Sequence, residues 1–511
     1  MLTSDPAPSA AGCIAALREG RPADAAPTLA AVSARLRDPR LPTGEAERFA
    51  REVLAAHLAA LEAQGGWRVP GVWSRGLGPG GFDMLCDYLA CARVEQEPLE
   101  WACTELRAAL SASVEQGGEA VRLAAALGIQ AFRLEYAWPE SAAEAARASA
   151  VAAALEASLA AGRAPEPSAL ARLSMYRPLY GLRGIEALVA PAATSALASD
   201  GALAELLRVQ VSEPLRERAL VATIRSLTPV NDRLSREVQA QYEANPYPRW
   251  HRLPGLQGPA GAEAKAGPEG TLLIAGCGTG RQALSAALAA PRRRVLGIDL
   301  SRVSLAYAAR KAAEIGVPNL ELAHADLLEL PAAGLRFDAI SSTGVLHHLR
   351  DPAEGLRALR ALMAHDEGLK VAVYTESGRR GVVAAIDLRE AYQLAPTPEG
   401  IRTLRQIVAA QPEGHPAREI LGYADFYSLS GVRDLVFHVM EHRYTLPSFA
   451  ALADRAGLCI RQILAPVGWR ERFLARFPQP GAAGDAEAWH RFEQENPGCF
   501  GSMYRLMLGK A

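Results

Sequence analysis

The chain has 511 residues, half of them hydrophobic, and a net charge of −1; this allows two or three buried cores and argues against a general nucleic-acid or membrane-surface binder. No run of about 18 apolar residues occurs and the N-terminus carries no basic segment leading into an apolar one, so neither membrane spanning nor export is expected. Seven dispersed cysteines give neither a disulfide framework nor zinc-ligand spacing, which predicts a reduced, cytoplasmic protein.

Helical periodicity runs through the first part of the chain. It predicts helices over residues 10–18, 22–36, 43–64, 81–93, 99–115, 119–134, 141–162 and 168–176. Pro139 and Pro165 fall in connections or at helix starts, where proline is tolerated. An all-helical domain over 1–228 follows. A search for a 34-residue repeat finds no clean self-similarity, so a bundle or irregular solenoid is expected. Such a unit either packs against the rest of the chain and solubilises it or serves as a docking platform.

Residues 229–270 form a linker or lid. A turn at 228–232 precedes a helix over 233–244, and Asn245-Pro246-Tyr247-Pro248-Arg249-Trp250 is held extended by its prolines. This aromatic strip either lies over a cleft or packs its rings on the edge of the next domain. A Gly/Pro/Ala loop over 255–270 completes the connection.

Residues 272–280, Leu-Leu-Ile-Ala-Gly-Cys-Gly-Thr-Gly, stop an apolar run at three glycines spaced two apart, and a helical pattern starts at once. The run reads as a buried parallel strand whose turn brings backbone N–H groups and a helix N-terminus against a ligand. A dinucleotide fingerprint needs a third glycine where Arg281 stands, so that pattern fails. A second strand ends at Asp299, placed to accept both ribose hydroxyl protons of a nucleoside, and Leu300-Ser301 open a helix over 302–315. A third strand runs to a second acidic residue, Asp326, followed by Leu327. Strand four, at 337–342, leads into Thr343-Gly344-Val345-Leu346-His347-His348-Leu349, and strand five covers 369–374. Strand six is expected at 458–465 and strand seven at 502–508, antiparallel to its neighbours. Ligands of open α/β sheets sit outside the carboxyl ends of the strands, which is where both acidic residues fall. A helical cap insertion occupies about 376–447, rich in polar and aromatic residues between 425 and 444.

This order resembles bacterial class I S-adenosylmethionine (SAM) methyltransferases with an N-terminal helical, tetratricopeptide-like region. The resemblance is carried by the segment 241–248, the glycine turn, Gly344 to Leu349, Asp425-Phe426-Tyr427-Ser428 and Glu441-His442-Arg443. It implies an α/β fold, a seven-stranded Rossmann-like sheet over 271–511 preceded by the helical domain. It also implies SAM as cofactor, held by Gly276, Cys277, Gly278, Thr279, Gly280, Asp299, Leu300, Asp326, Leu327, Thr343 and Gly344. Asp326 would bond the adenine amine and Leu327 pack on its ring. One departure is Ile274, where an acidic residue usually helps bind the SAM amino group.

The candidate catalytic residues are His347, Glu376, His442 and Tyr242. His347 follows strand four, where the cleft opens, and is the candidate base; Glu376 follows strand five and would orient an amine or hydroxyl. His438 with Glu441 or His442 is at helical spacing, which also fits a metal pair, but without a further partner no metal is expected. The acceptor expected is an N or O nucleophile of a small molecule, possibly a specialised metabolite or amino-acid derivative. Alternatives are a peptide or protein docked on the helical domain, and a SAM-binding protein without catalysis. Nucleic acid is not expected, since Thr343-Gly344-Val345-Leu346 stands where nucleic-acid amino-methyltransferases carry Asn-Pro-Pro-aromatic.

Overall fold

The computed structural model describes residues 9–38, 44–63, 70–113, 117–189, 201–253 and 269–511. Eight α-helices precede residue 175, at Ala10–Arg18, Pro22–Arg37, Gly44–Ala63, Pro70–Cys91, Glu97–Ala112, Gly118–Arg133, Ala142–Ala160 and Pro167–Ser174. Each matches a predicted pattern to within a few residues except the fourth, whose predicted start at 81 is the far side of a kink at Gly78 (φ 68°). Ser141 and Glu144 cap the seventh helix reciprocally, side chain to backbone in both directions. The predicted loop 255–270 lies outside the described residues up to 268.

One helical stretch of the N-terminal part was not among the predicted helices. Gly201–Leu207 passes through a π-helical turn, Arg208–Ser212, into Glu213–Val221. The extra residue per turn lets buried Gln210 reach four neighbours: its amide donates to Gly128 O (2.7 Å) and Ser174 O (3.1 Å) and accepts from Leu179 N (3.1 Å) and Tyr136 OH (3.4 Å). A buried polar side chain satisfied on both ends ties three segments together.

The sheet has seven strands in the order β3-β2-β1-β4-β5-β7-β6. These are β1 (Thr271–Ala275), β2 (Arg294–Asp299), β3 (Leu320–His324), β4 (Ala339–Thr343), β5 (Glu367–Tyr374), β6 (Leu458–Ile463) and β7 (Met503–Lys510). The first five are parallel and β7 runs antiparallel to both its neighbours. β3 closes at His324, two residues before the predicted end at Asp326. Beyond it, Arg225 to Leu227 adds a short parallel bridge at the sheet's edge, His324 N donating to Arg225 O and Leu227 N to His324 O. Alternate residues of β1 serve opposite cores: Leu273 and Ala275 one face, Leu272 and Ile274 the other.

The insertion after β5 carries the helices Arg380–Ala391, Pro398–Ala409 and Leu429–Val436. Their buried residues, among them Val382, Ile401, Leu404 and Val432, belong to the same core as the N-terminal helices. Buried Arg405 fastens the two: it donates to both Glu100 carboxylate oxygens (2.6 and 2.7 Å), to Ala137 O (2.7 Å) and to Phe426 O (2.8 Å).

Candidate active site

β1 hands the chain to the helix Arg281–Ala289 through the glycine turn, which is pinned to β2. Gly276 N and Cys277 N both donate to Ile298 O at 2.9 Å. Gly276 sits at φ 72°, and a Cβ there would lie 2.1 Å from Val345 Cγ2. Gly278 sits at φ 53° with the Tyr247 carbonyl 2.9 Å from its would-be Cβ. Side chains are excluded by space and conformation alike, which is why the turn reads as glycines.

Over this turn lies a cavity of about 640 Å³, within the usual range for small-molecule sites. Its lining includes Gly276, Cys277, Gly278, Asp299, Leu300, Asp326, Leu327, Thr343 and Gly344. Asp299, at the end of β2, accepts from Gly278 N (2.7 Å) and Ser301 N (2.9 Å). One carboxylate thereby sets both the glycine turn and the start of the helix Arg302–Ile315. Burial raises its pKa, against those backbone bonds. Asp326 accepts from Leu328 N (3.0 Å) through Oδ1, and the Ser235 side chain lies near enough to favour its charged form, while its buried Oδ2 makes no hydrogen bond of standard geometry. An unpaired buried carboxylate oxygen is costly and marks the place of a missing donor.

The other two predicted turn residues face away. Gly280 caps the helix Arg281–Ala289 in left-handed conformation. Thr279 is fully buried and spends its polar groups on the aromatic strip: its hydroxyl donates to Pro248 O and its carbonyl accepts from Trp250 Nε1 (3.0 Å). Trp250 packs on the sheet's flank against Tyr307, whereas Tyr247 and Pro248 line the cavity. Ile274 is buried in the same flank core as Trp250 and Leu284.

Residues 272–366 match the family model described as "Methyltransferase domain". This stretch is a methyltransferase domain. Its cofactor is S-adenosylmethionine, and the residues present fit that molecule. A nucleoside has hydroxyls for Asp299 and an exocyclic amine for the orphaned Asp326 oxygen. The chain is 29% identical over 253 residues to an uncharacterized protein of Synechococcus sp., the match taking in 44% of this chain and 59% of that protein. The chain thus spans about three-fifths of that relative's length. Among solved structures it is similar to PKMT2 from Rickettsia typhi in complex with AdoHcy (16% identity, 54% of this chain, 52% of that one, TM-score 0.37). It is also similar to magnesium protoporphyrin IX methyltransferase from Synechocystis PCC 6803 with bound SAH (13% identity, 59% of this chain, 95% of that one, TM-score 0.27).

Of the four candidate catalytic residues, the structure brings Tyr242, from the segment before the sheet, to the cavity and not His347, Glu376 or His442. His347 is fully buried, stacked on Tyr374 at 3.8 Å between centroids, with neither ring nitrogen bonded. The segment Leu346–His348 is a 3₁₀ turn, not an α-helix, and it is His348 that lines the cavity. Glu376 is exposed. His442 is tied by its ring to Leu349 O (3.0 Å) and by its backbone to His347 O (2.8 Å). Glu441 pairs with Arg379, and Tyr427 is a core residue whose hydroxyl donates to Leu421 O.

Sequence reasoning missed Asp434, which lines the cavity and accepts from Tyr242 OH (2.5 Å). Burial pushes its carboxyl up to about 7. Asp425 in turn accepts from Tyr247 OH (2.6 Å). Only its place on the Leu429–Val436 helix, reached across the tertiary fold, distinguishes Asp434 from an ordinary surface acid.

Proposed function

We propose that this chain is a SAM-dependent methyltransferase acting on a nitrogen or oxygen nucleophile of a small molecule. The observation that carries the reading is the pairing of Asp299 with the unsatisfied Asp326 in one cavity at the carboxyl ends of β2 and β3. Asp299 would take the ribose hydroxyls and Asp326 the adenine amine, with Leu327 and Leu300 against the ring. Gly276, Cys277, Gly278, Thr343 and Gly344 would follow the amino-acid end. The cofactor supplies a methyl group already activated on a sulfonium.

The chain's own part is to hold the acceptor in line and keep water out. Tyr242, His348, Tyr374 and Asp434 form the polar wall of the cavity. Lone pairs on His348 and Asp434 there meet the N–H or O–H of an acceptor. A small acceptor is favoured over a polypeptide because the strap is fastened to the cap twice, Tyr242 to Asp434 and Tyr247 to Asp425. On this reading residues 1–228 support the cap, 229–270 serve as lid and 271–511 hold the chemistry.

The test incubates the full chain with methyl-labelled SAM and a lysate split into small-molecule and protein fractions. Label in the small-molecule fraction is expected. Label confined to protein would favour a polypeptide acceptor, and SAM binding without turnover a non-catalytic role. Calorimetry with the demethylated product, showing no heat, would overturn the reading altogether.

A further inference from the structure

Among the described residues, one group of three metal-binding side chains converges: His348, Asp434 and His438, each offering a ligand atom within 4.8 Å of the others. The two imidazoles stack at 3.5 Å between centroids, tilted by 22°. Both Nδ1 atoms lie on one carbonyl, Met440 O, at 2.7 and 2.8 Å. A carbonyl only accepts, so His348 carries its proton on Nδ1 and keeps the lone pair on Nε2; His438 Nδ1 faces both Met440 O (2.8 Å) and the donor Met440 N (3.2 Å), the carbonyl being the shorter contact. A carbonyl on the far nitrogen of an imidazole holds the tautomer that ligation needs. His438 Nε2 is buried with no partner. A buried imidazole nitrogen left without a partner is costly, and a cation shared with His348 and Asp434 would remove that cost.

The third member supplies charge. Asp434 is buried, and Tyr242 OH occupies one side of Oδ1. The nearest competing cation, Arg379, is met by Glu441 and by Leu435 O (3.3 Å). We propose that His348, Asp434 and His438 bind one divalent first-row transition-metal ion at the wall of the cavity, leaving open positions toward the acceptor. Two imidazoles and one carboxylate suit zinc, cobalt, iron or manganese in the divalent state. They are too nitrogen-rich for magnesium or calcium and lack the thiolate that selects Cu(I). An acceptor hydroxyl on such an ion would be oriented and made more acidic. The pair weighed from sequence, His438 with Glu441 or His442, is not the site: those two partners are committed to Arg379 and Leu349 O.

This site goes beyond the methyltransferase reading and is tested without turnover. Untagged full-length chain, stripped with chelator, is titrated with Zn²⁺ by calorimetry and with Co²⁺ by visible absorption. One equivalent per chain and ligand-field bands of low-coordinate cobalt are expected. His438→Ala and Asp434→Asn should each weaken Zn²⁺ by at least about 100-fold and abolish the bands, while exposed His365→Ala leaves both unchanged. Binding of the demethylated cofactor by His438→Ala, within about threefold of the parent, shows that the variant is folded. Less than a fifth of an equivalent at about 10 μM Zn²⁺, far below a built three-ligand site's occupancy, overturns the proposal. So does His438→Ala binding as tightly as the parent.

Discussion

Asp326 shows how one atom can separate a binding role from a structural one. Its Oδ2 is buried and unbonded, and burial raises its carboxyl pKa. Asp326→Asn keeps the Oδ1 acceptor for Leu328 N and removes the charge. Affinity for the demethylated cofactor, measured by calorimetry, should fall by about 10- to 100-fold, the worth of one hydrogen bond to a charged group. Stability should move the other way. The folded carboxyl holds its proton more tightly than the unfolded one, so the parent loses stability as pH rises from the unfolded value of about 3.9 through the raised folded value. The variant does not titrate. Its urea midpoint should therefore equal or exceed the parent's at pH 7, with the gap closing below that window. A midpoint lower at pH 7 than at pH 4, relative to the parent, would sink this account. The place of both acids at the cavity was legible from sequence because Asp299 closes β2 and Asp326 stands two residues past β3, where the strand's direction carries the chain to the sheet's carboxyl edge. His348 and Asp434 were not. Choosing between His347 and His348 depends on a 3₁₀ turn whose phase differs from an α-helix by about 20° per residue. Asp434 reaches the cavity only through the folding of a separate insertion.

The glycine turn and the aromatic strap act as one element. Gly278 N holds Asp299, the Gly278 Cα faces Tyr247 O, and Thr279 bonds both Pro248 and Trp250. Gly278→Ala puts a methyl 2.9 Å from that carbonyl at φ 53°, so either the strap or the turn must move. We expect a loss of about 1–3 kcal/mol in stability together with weaker cofactor binding, the two read by urea titration and calorimetry. Thr279→Ser keeps the hydroxyl and should retain both properties. Periodicity revealed the sheet, the turn and eight N-terminal helices because each obeys a single repeat. It failed over 201–221, where a π turn shifts the phase mid-helix and places Gln210 at a core position, and at the edge bridge of Ser226. The strap's double role was also hidden: Pro and aromatic spacing gives an extended chain, not which face it covers.

At the scale of the molecule, the insertion and the N-terminal helices are one body, and this decides what a truncation can report. Removing residues 1–231 would uncover Val382, Ile401, Leu404, Val408 and Val432 and leave Arg405 without Glu100 or Ala137 O. The shortened chain should aggregate or bind a hydrophobic dye, so its inactivity would say nothing about docking of a substrate. Point variants answer more cleanly. Arg405→Ala strands a largely buried Glu100 carboxylate and two carbonyls, at a cost of about 3–5 kcal/mol. Glu100→Ala strands the guanidinium, though two carbonyls still accept from it. If the pair itself fastens the cap, the double variant should lose about 0.5–3 kcal/mol less than the sum of the singles, as groups in contact do. Because the Leu429–Val436 helix bearing Asp434 rests on the same body, the singles should also weaken whatever depends on the cavity's polar wall. Additive losses, or a destabilised chain whose wall chemistry stays intact, would mean that the helical region solubilises the cap without shaping the site.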